Sequence, residues 1–311
     1  MRIATVSRSR ARALLVASLA LATLFTSARA DAFCRSRVCD TERDYADIWQ
    51  DPPDPVCERD DQSCRTEGPL LYWPKTCLSF AVQKSGSKSS AVSYEDTHAA
   101  AVSAFQVWLG ARCLGGGTPS FAVSDRGAVE CGVPQYLQGQ PSANVIMFRD
   151  DENRLDNWTI ALTTVSYQPE TGEIFDADIE LNSYWYTFVV NGPLPTDRHV
   201  NLRGVLTHEV GHFLGLSHAS DSNAVMWPTY GNQNTQQGLL HPDDANGICS
   251  IYPPSRPVDS TRCEPENGFA SACQVEEDES GCALARAPAG GASLAFASAL
   301  SLFWLLRRRR R

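Results

Sequence analysis

The sequence predicts an α+β domain, and three features predict it. Four short strand-like runs fall between two segments of helical periodicity, strand-like alternation precedes the first of these, and the stretch, roughly 185 residues, is long enough to bury one core. In "LLYWPKTCLSFAV", Leu78, Phe80 and Val82 alternate with smaller or polar residues, the period of a half-buried strand. "SYEDTHAAAVSAFQVWLGARC" follows; Ser93 with Asp96 three residues on has the form of a capping box, and Val102, Phe105 and Leu109 share a helical face. Strand-like runs come next: "SFAV" from Ser120, "NVIMF" from Asn144, "WTIALTTVSY" from Trp158 and "IFDADIELN" from Ile174. A second helix is expected from about Asp197 to Leu214, and a short third one within "HPDDANGICSIY".

The flanks differ from this body. Residues 1–30 have arginines at positions 2, 8, 10 and 12, an apolar run from Ala13 to Phe25 and the ending Ala28-Arg29-Ala30, the pattern of a secretory signal peptide cut after Ala30. Residues 31–68 are rich in Asp, Pro and Cys and read as a disulfide-pinned extension, with a propeptide as the alternative. Residues 69–254 form the predicted domain. Residues 255–281 read as an acidic, Pro-containing linker. Residues 282–311 hold an uncharged stretch, Ala287 to Leu306, closed by five arginines. Its roughly 20 residues suffice to span a bilayer as a helix.

Charge excludes one class of partner. Residues 31–281 hold 16 Lys+Arg against 36 Asp+Glu, a formal charge of −20 that the whole-chain value of −9 conceals. Such an acidic body argues against nucleic acid. The chain has eleven cysteines, at 34, 39, 57, 64, 77, 113, 131, 249, 263, 273 and 282. Export implies an oxidising compartment and therefore disulfides. The count is odd, and Cys282, just before the apolar tail, is the expected odd residue; the other ten allow up to five bridges.

The chemistry lies in "THEVGHFLGLSH", residues 207–218. His208 and His212 are four apart, about 400° of helical rotation, so both imidazoles leave one face a turn apart and suit one zinc ion. Glu209 leaves the helix roughly 100° round from His208 and stands beside the metal without ligating it. His218 reaches the site only if the chain turns, and Gly215 stands where the turn is needed. Three protein ligands and an open position are the catalytic form of zinc.

The pattern H-E-x-x-H-x-x-G-x-x-H is the metzincin signature, and Met226 in "SNAVMWPTY" resembles that family's Met-turn. "HEVGHFLGLSH", "AVMWPTY" and "LHPDDANGICSIY" follow the matrixin order and spacing, and "YWPKTCLSFAV" with "AFQVWL" resembles the start of a matrixin catalytic domain. The resemblance, over roughly Leu70 to Pro254, implies a twisted mixed five-stranded sheet on two long helices, with a short C-terminal helix. It implies a monomeric zinc endopeptidase acting on protein or peptide substrates. In that reading zinc, on His208, His212 and His218, polarises the scissile carbonyl and acidifies the attacking water, and Glu209 carries the proton to the leaving amine. Pro228 and Tyr230 are expected along the substrate pocket wall, and an extended peptide along "WTIALTTV". A catalytically silent surface adhesion or binding module with a structural zinc is the alternative.

There are departures from the family. The histidines of the second, structural matrixin zinc site have no counterpart between His98 and His199. Asp176, Asp178 and Glu180 alternate, so on a strand they share a face, which is either a calcium site completed by backbone oxygens or a solvated acidic face. "ECGVPQY" resembles the matrixin cysteine switch, but Cys131 follows the first helix, so a disulfide is expected instead, with Cys113 as the candidate partner. Gly281-Cys282, the uncharged stretch and the arginines resemble the MYXO-CTERM sorting tail of myxobacterial exported proteins, which implies processing near Cys282 and retention at the cell surface through the membrane.

Overall fold

The computed structural model describes residues 33–38, 58–150, 155–231 and 238–273. The expected signal peptide, Cys39, Cys57 and the tail with Cys282 lie outside these residues. No helix among the described residues is long and apolar enough to cross a membrane.

The strands are β1 (Cys77–Gln83), β2 (Ala122–Val129), β3 (Val145–Phe148), β4 (Ala161–Tyr167) and β5 (Ile174–Leu181), in the order β2-β1-β3-β5-β4. β1, β2, β3 and β5 run parallel, and β4 is antiparallel to β5 at one edge. Every residue of β1 except Gln83 is buried, and β3 is buried throughout, as expected for parallel strands near the middle of a covered sheet. β6 (Thr187–Val189) and β7 (His199–Asn201) form a separate parallel pair.

Helix α1 (Tyr94–Leu109) begins at the expected capping box: Ser93 Oγ accepts from Asp96 N at 3.0 Å. Its buried face, however, is Ala100, Ala101, Ala104, Phe105 and Trp108, and Val102 and Leu109 are only partly buried. The run of alanines lets the helix backbone lie close to its neighbours, so the larger apolar residues at 102 and 109 are displaced to the flank. Helix α2 (Leu202–Phe213) starts five residues later than expected. Val200 is fully buried and His199–Asn201 pair with β6, so the chain is still extended there. Asn201 then caps the helix, its side chain accepting from Gly204 N at 2.9 Å. Helix α3 (Pro242–Ile251) closes the domain.

α1 and α2 pack on the sheet and on each other. Phe80 of β1 stacks on Phe105 of α1 (centroids 4.6 Å apart), which meets Phe213 of α2 edge-on at 5.3 Å. The fully buried Trp108 donates from Nε1 to Thr207 O at 2.8 Å, and Trp73 Nε1 donates to Phe213 O at 2.7 Å. These indoles bury their polar atom with a partner, as buried tryptophans require, and in doing so they lock α2 in rotation.

Four disulfides join described residues: Cys34–Cys64, Cys77–Cys263, Cys113–Cys249 and Cys131–Cys273. The suggested Cys131–Cys113 pair is therefore wrong; each bonds to a cysteine near the C-terminal end of the domain. The stretch read as an acidic linker is stapled to β1 and to the end of β2 through Cys263 and Cys273 as far as residue 273. Its acidic, proline-containing composition hides the attachment because covalent bonds replace an apolar face.

Candidate metal centre

α2 presents His208 and His212 one turn apart, with Nε2 atoms 3.1 Å from each other. Each ring is oriented by its other nitrogen: His208 Nδ1 donates to Val225 O at 2.7 Å and His212 Nδ1 to Leu216 O at 2.8 Å. With both Nδ1 protons so used, both Nε2 lone pairs point to one place. The chain turns at Gly215, whose φ of +97° and whose approach to Leu71 O leave no room for a side chain. That turn brings His218 within reach, its ring centroid 5.3 Å from that of His208 and 4.8 Å from that of His212.

The three histidines are the one cluster of three or more ligand-type side chains among the described residues, with ligand atoms all within 4.8 Å of one another. Two nitrogens bound to one tetrahedral zinc at about 2.0–2.1 Å stand about 3.3 Å apart, so the donor set fits zinc in type and spacing. Burial holds the His208 and His212 imidazoles down at about 4, helped by the mutual repulsion of the rings. They are therefore neutral, ligand-ready bases at neutral pH.

Glu209, 5% exposed, lies beside this cluster. Its Oε2 accepts from Thr163 Oγ1 of β4 at 2.6 Å. Burial raises its pKa, and the hydrogen bond from the Thr163 hydroxyl opposes that rise. Thr163 was not singled out in the sequence; it sits in the expected substrate strand, but nothing in its spacing tells that it faces Glu209.

Met226 is buried against α2. Ala219 N donates to Met226 O at 2.8 Å, tying the segment after His218 to the methionine turn. Beneath the turn lies Asp244 of α3, another residue the sequence reading missed. It accepts from Val225 N (2.8 Å), Met226 N (3.1 Å) and His241 N (2.7 Å), and burial pushes its pKa up to about 6 against those bonds. Its only signal was its place as the second Asp of "HPDD". Tyr230 accepts from Asn201 N at 2.7 Å, so it braces the start of α2, and Pro228 and Tyr230 both line the cleft.

Gly211 lies between the two histidines of α2. A Cβ there would stand 2.2 Å from Met226 Sδ and 2.9 Å from Trp108 Cζ2. The sulfur end of Met226 can give way, but Trp108 is held by its bond to Thr207 O. Gly211→Ala gains about 1 kcal/mol of helix propensity and incurs about 1–3 kcal/mol of overpacking. We expect net destabilisation of up to roughly 2 kcal/mol, read as a fall of a few degrees in melting temperature; a rise would show that the contact relaxes freely.

The acidic residues of β5 behave differently from either expectation. Asp176, Asp178 and Glu180 are almost completely buried, so they are not a solvated face. Nor do they gather into a three-ligand cation site. Glu180 is bound by Arg149 Nε at 2.6 Å, and Asp178 accepts from Val145 N and Gln135 N. Burial pushes the Asp178 carboxyl up to about 7 and the neighbouring Asp176 up as well. Their visible role is to anchor the 131–145 connection onto the sheet.

The histidines, Glu209 and β4 line one open cleft of about 490 Å³, with Ser36, Trp227 and the two residues of the methionine turn on its walls. Residues 135–253 match the Matrixin family. The chain is similar to matrilysin of Homo sapiens, 39% identical over 28% of this chain and 30% of that protein. It is also similar to neutrophil collagenase of Homo sapiens, 30% identical over 42% of this chain and 28% of that protein, and to matrix metalloproteinase-18 of Xenopus laevis, 35% identical over 33% and 22%. The chain thus spans less than a third of the length of these relatives. The mixed five-stranded sheet with three helices is an α+β fold consistent with that of the metzincins, and the likenesses support a matrixin-like metalloprotease. The family implies zinc and calcium.

Proposed function

We propose that the protein is an exported zinc endopeptidase that cleaves peptide bonds of extracellular proteins. The observation that carries this reading is the convergence of three imidazoles, two of them aimed through Nε2, with the Glu209 carboxylate in a cleft bordered by the sheet's edge strand. His208, His212 and His218 hold the metal, which when bound supplies Lewis acidity to the scissile carbonyl and to the attacking water. Glu209 takes the proton from that water and delivers it to the leaving amine. Thr163 keeps the carboxylate turned toward the cleft. Among the described residues the outer side of β4 has no neighbour in its sheet, so an extended peptide adds there as a further strand. Pro228 and Tyr230 shape the adjoining pocket for a substrate side chain.

Residues 1–30 act as the signal peptide, and residues 282–311 as a sorting tail that retains the protein at the surface. The four disulfides fit an oxidising compartment. A peptide-library digest with the oxidised protein, with and without a chelator, tests the activity. Cleavage that a chelator abolishes and added zinc restores is expected. Bound zinc without any cleavage would favour the binding-module reading instead.

A further inference from the structure

The extension before the domain is built into the metal centre. Residues 33–38 run between the turn at Gly215 and residues 69–71. On one side Ser36 N donates to Gly215 O and Ser217 N donates to Cys34 O, both at 2.9 Å, with Arg35 opposite Leu216. On the other side Leu71 N donates to Ser36 O at 2.8 Å and Val38 N to Pro69 O at 2.9 Å. Cys34 and Val38 are buried, and so is Leu216. The Cys34–Cys64 disulfide closes this strand onto residues 58–68, and from there Gln62 Oε1 accepts from Ser220 Oγ at 2.7 Å. The extension therefore grips the loop on both sides of His218, at 215–217 and at 220. It also fixes Leu216, whose carbonyl orients His212.

We infer that residues 33–38 and 58–68 are a permanent clip of the metal centre, and not a removable inhibitory segment. The clip holds His218 in place and thereby tightens zinc binding. Two observations carry this. Removing the strand would strip partners from the backbone of Gly215 and Ser217 and expose Leu216, a cost a mature enzyme would bear permanently. Both cysteines of the clip are also bonded to each other, so neither offers a thiolate to block the metal. Cys34, Ser36 and Gln62 are positioning residues: they act on the site through the loop that carries His218.

The inference rests on the zinc reading above for its effect on metal, but the clip itself is measurable without metal. In the full-length oxidised protein, Cys34→Ser/Cys64→Ser is expected to weaken zinc about tenfold in competition with a fluorescent chelator, the lower end of what supporting residues around a metal site contribute. Gln62→Ala, which leaves the fold alone, is expected to weaken zinc about threefold with the metal-free melting temperature unchanged. Amide exchange at Ser217 in metal-free protein should accelerate at least tenfold in the double variant. Wild-type affinity in both variants overturns the clip, as does recovery of fully active enzyme lacking residues 33–68. Should the double variant fail to fold, Gln62→Ala decides. Should wild-type protein bind no zinc, the metalloprotease reading falls, and exchange at Ser217 alone decides whether the clip exists.

Discussion

Glu209→Gln is expected to retain zinc and the fold while peptide cleavage falls by a factor of about 10² or more. The substitution keeps shape and polarity, and Thr163 Oγ1 can still donate to the amide oxygen as it does to Oε2 at 2.6 Å. The three imidazoles, held by Val225 O, Leu216 O and the Gly215 turn, do not depend on the carboxylate. The proton acceptor alone is lost. Burial raises the pKa of Glu209, and a base must be ionised, so burial by itself would weaken it on the acid side. The Thr163 hydroxyl acts in the opposite direction and favours the ionised form. Metal content by elemental analysis and cleavage of a common library peptide check both halves. A variant that cleaves at the wild-type rate would remove Glu209 from the mechanism.

Replacing Cys77 and Cys263 by serine is expected to destabilise the domain by about 2–4 kcal/mol. The bridge closes a sequence separation of 186 residues, which taken alone corresponds to about 5 kcal/mol of loop-closure entropy. The remaining bridges shorten that loop. A path from Cys77 to Cys113, across to Cys249 and on to Cys263 leaves only about 50 residues to close, which lowers the figure to about 4 kcal/mol. Engineered and native bridges commonly deliver less than this ideal. Denaturant unfolding of the variant should shift its midpoint by the corresponding amount, with melting lowered by about 10 °C. A loss below about 1 kcal/mol would mean that the segment after Tyr252 holds its place without the bond.

The sequence carried the centre of the site almost completely, because its geometry is local. His208, Glu209 and His212 follow from helical rotation, and Gly215 from the need for a turn. The residues that complete the site are distant in the chain. Thr163 reaches Glu209 only because β4 lies at the sheet edge beside α2, and Asp244 reaches the Met226 turn only because α3 packs beneath it. Neither placement leaves a periodic trace. The strands were legible from alternation and the first helix from its capping box. The start of the second helix was misjudged because polar residues at 197–199 hid a strand pairing with β6. Charge patterning misled at β5, where three carboxylates that alternate like a surface stripe are buried, Glu180 paired with Arg149 and Asp178 bound to backbone amides. Disulfide pairing was beyond reach, since chain entropy and sheet order, not spacing, decide which thiols meet.

The three long-range bridges each tie an early segment to one of the last three described cysteines, with separations of 136, 142 and 186 residues. The sheet adds to this, since β1 lies between β2 and β3 and cannot be completed locally. Cys34–Cys64 can close early, but a chain so wired cannot close its three long-range bonds until residues 249–273 are available to fold. Under the export proposed above, these bonds close after translocation, and any early mispairing among the cysteines that arrive first has to be undone by thiol exchange.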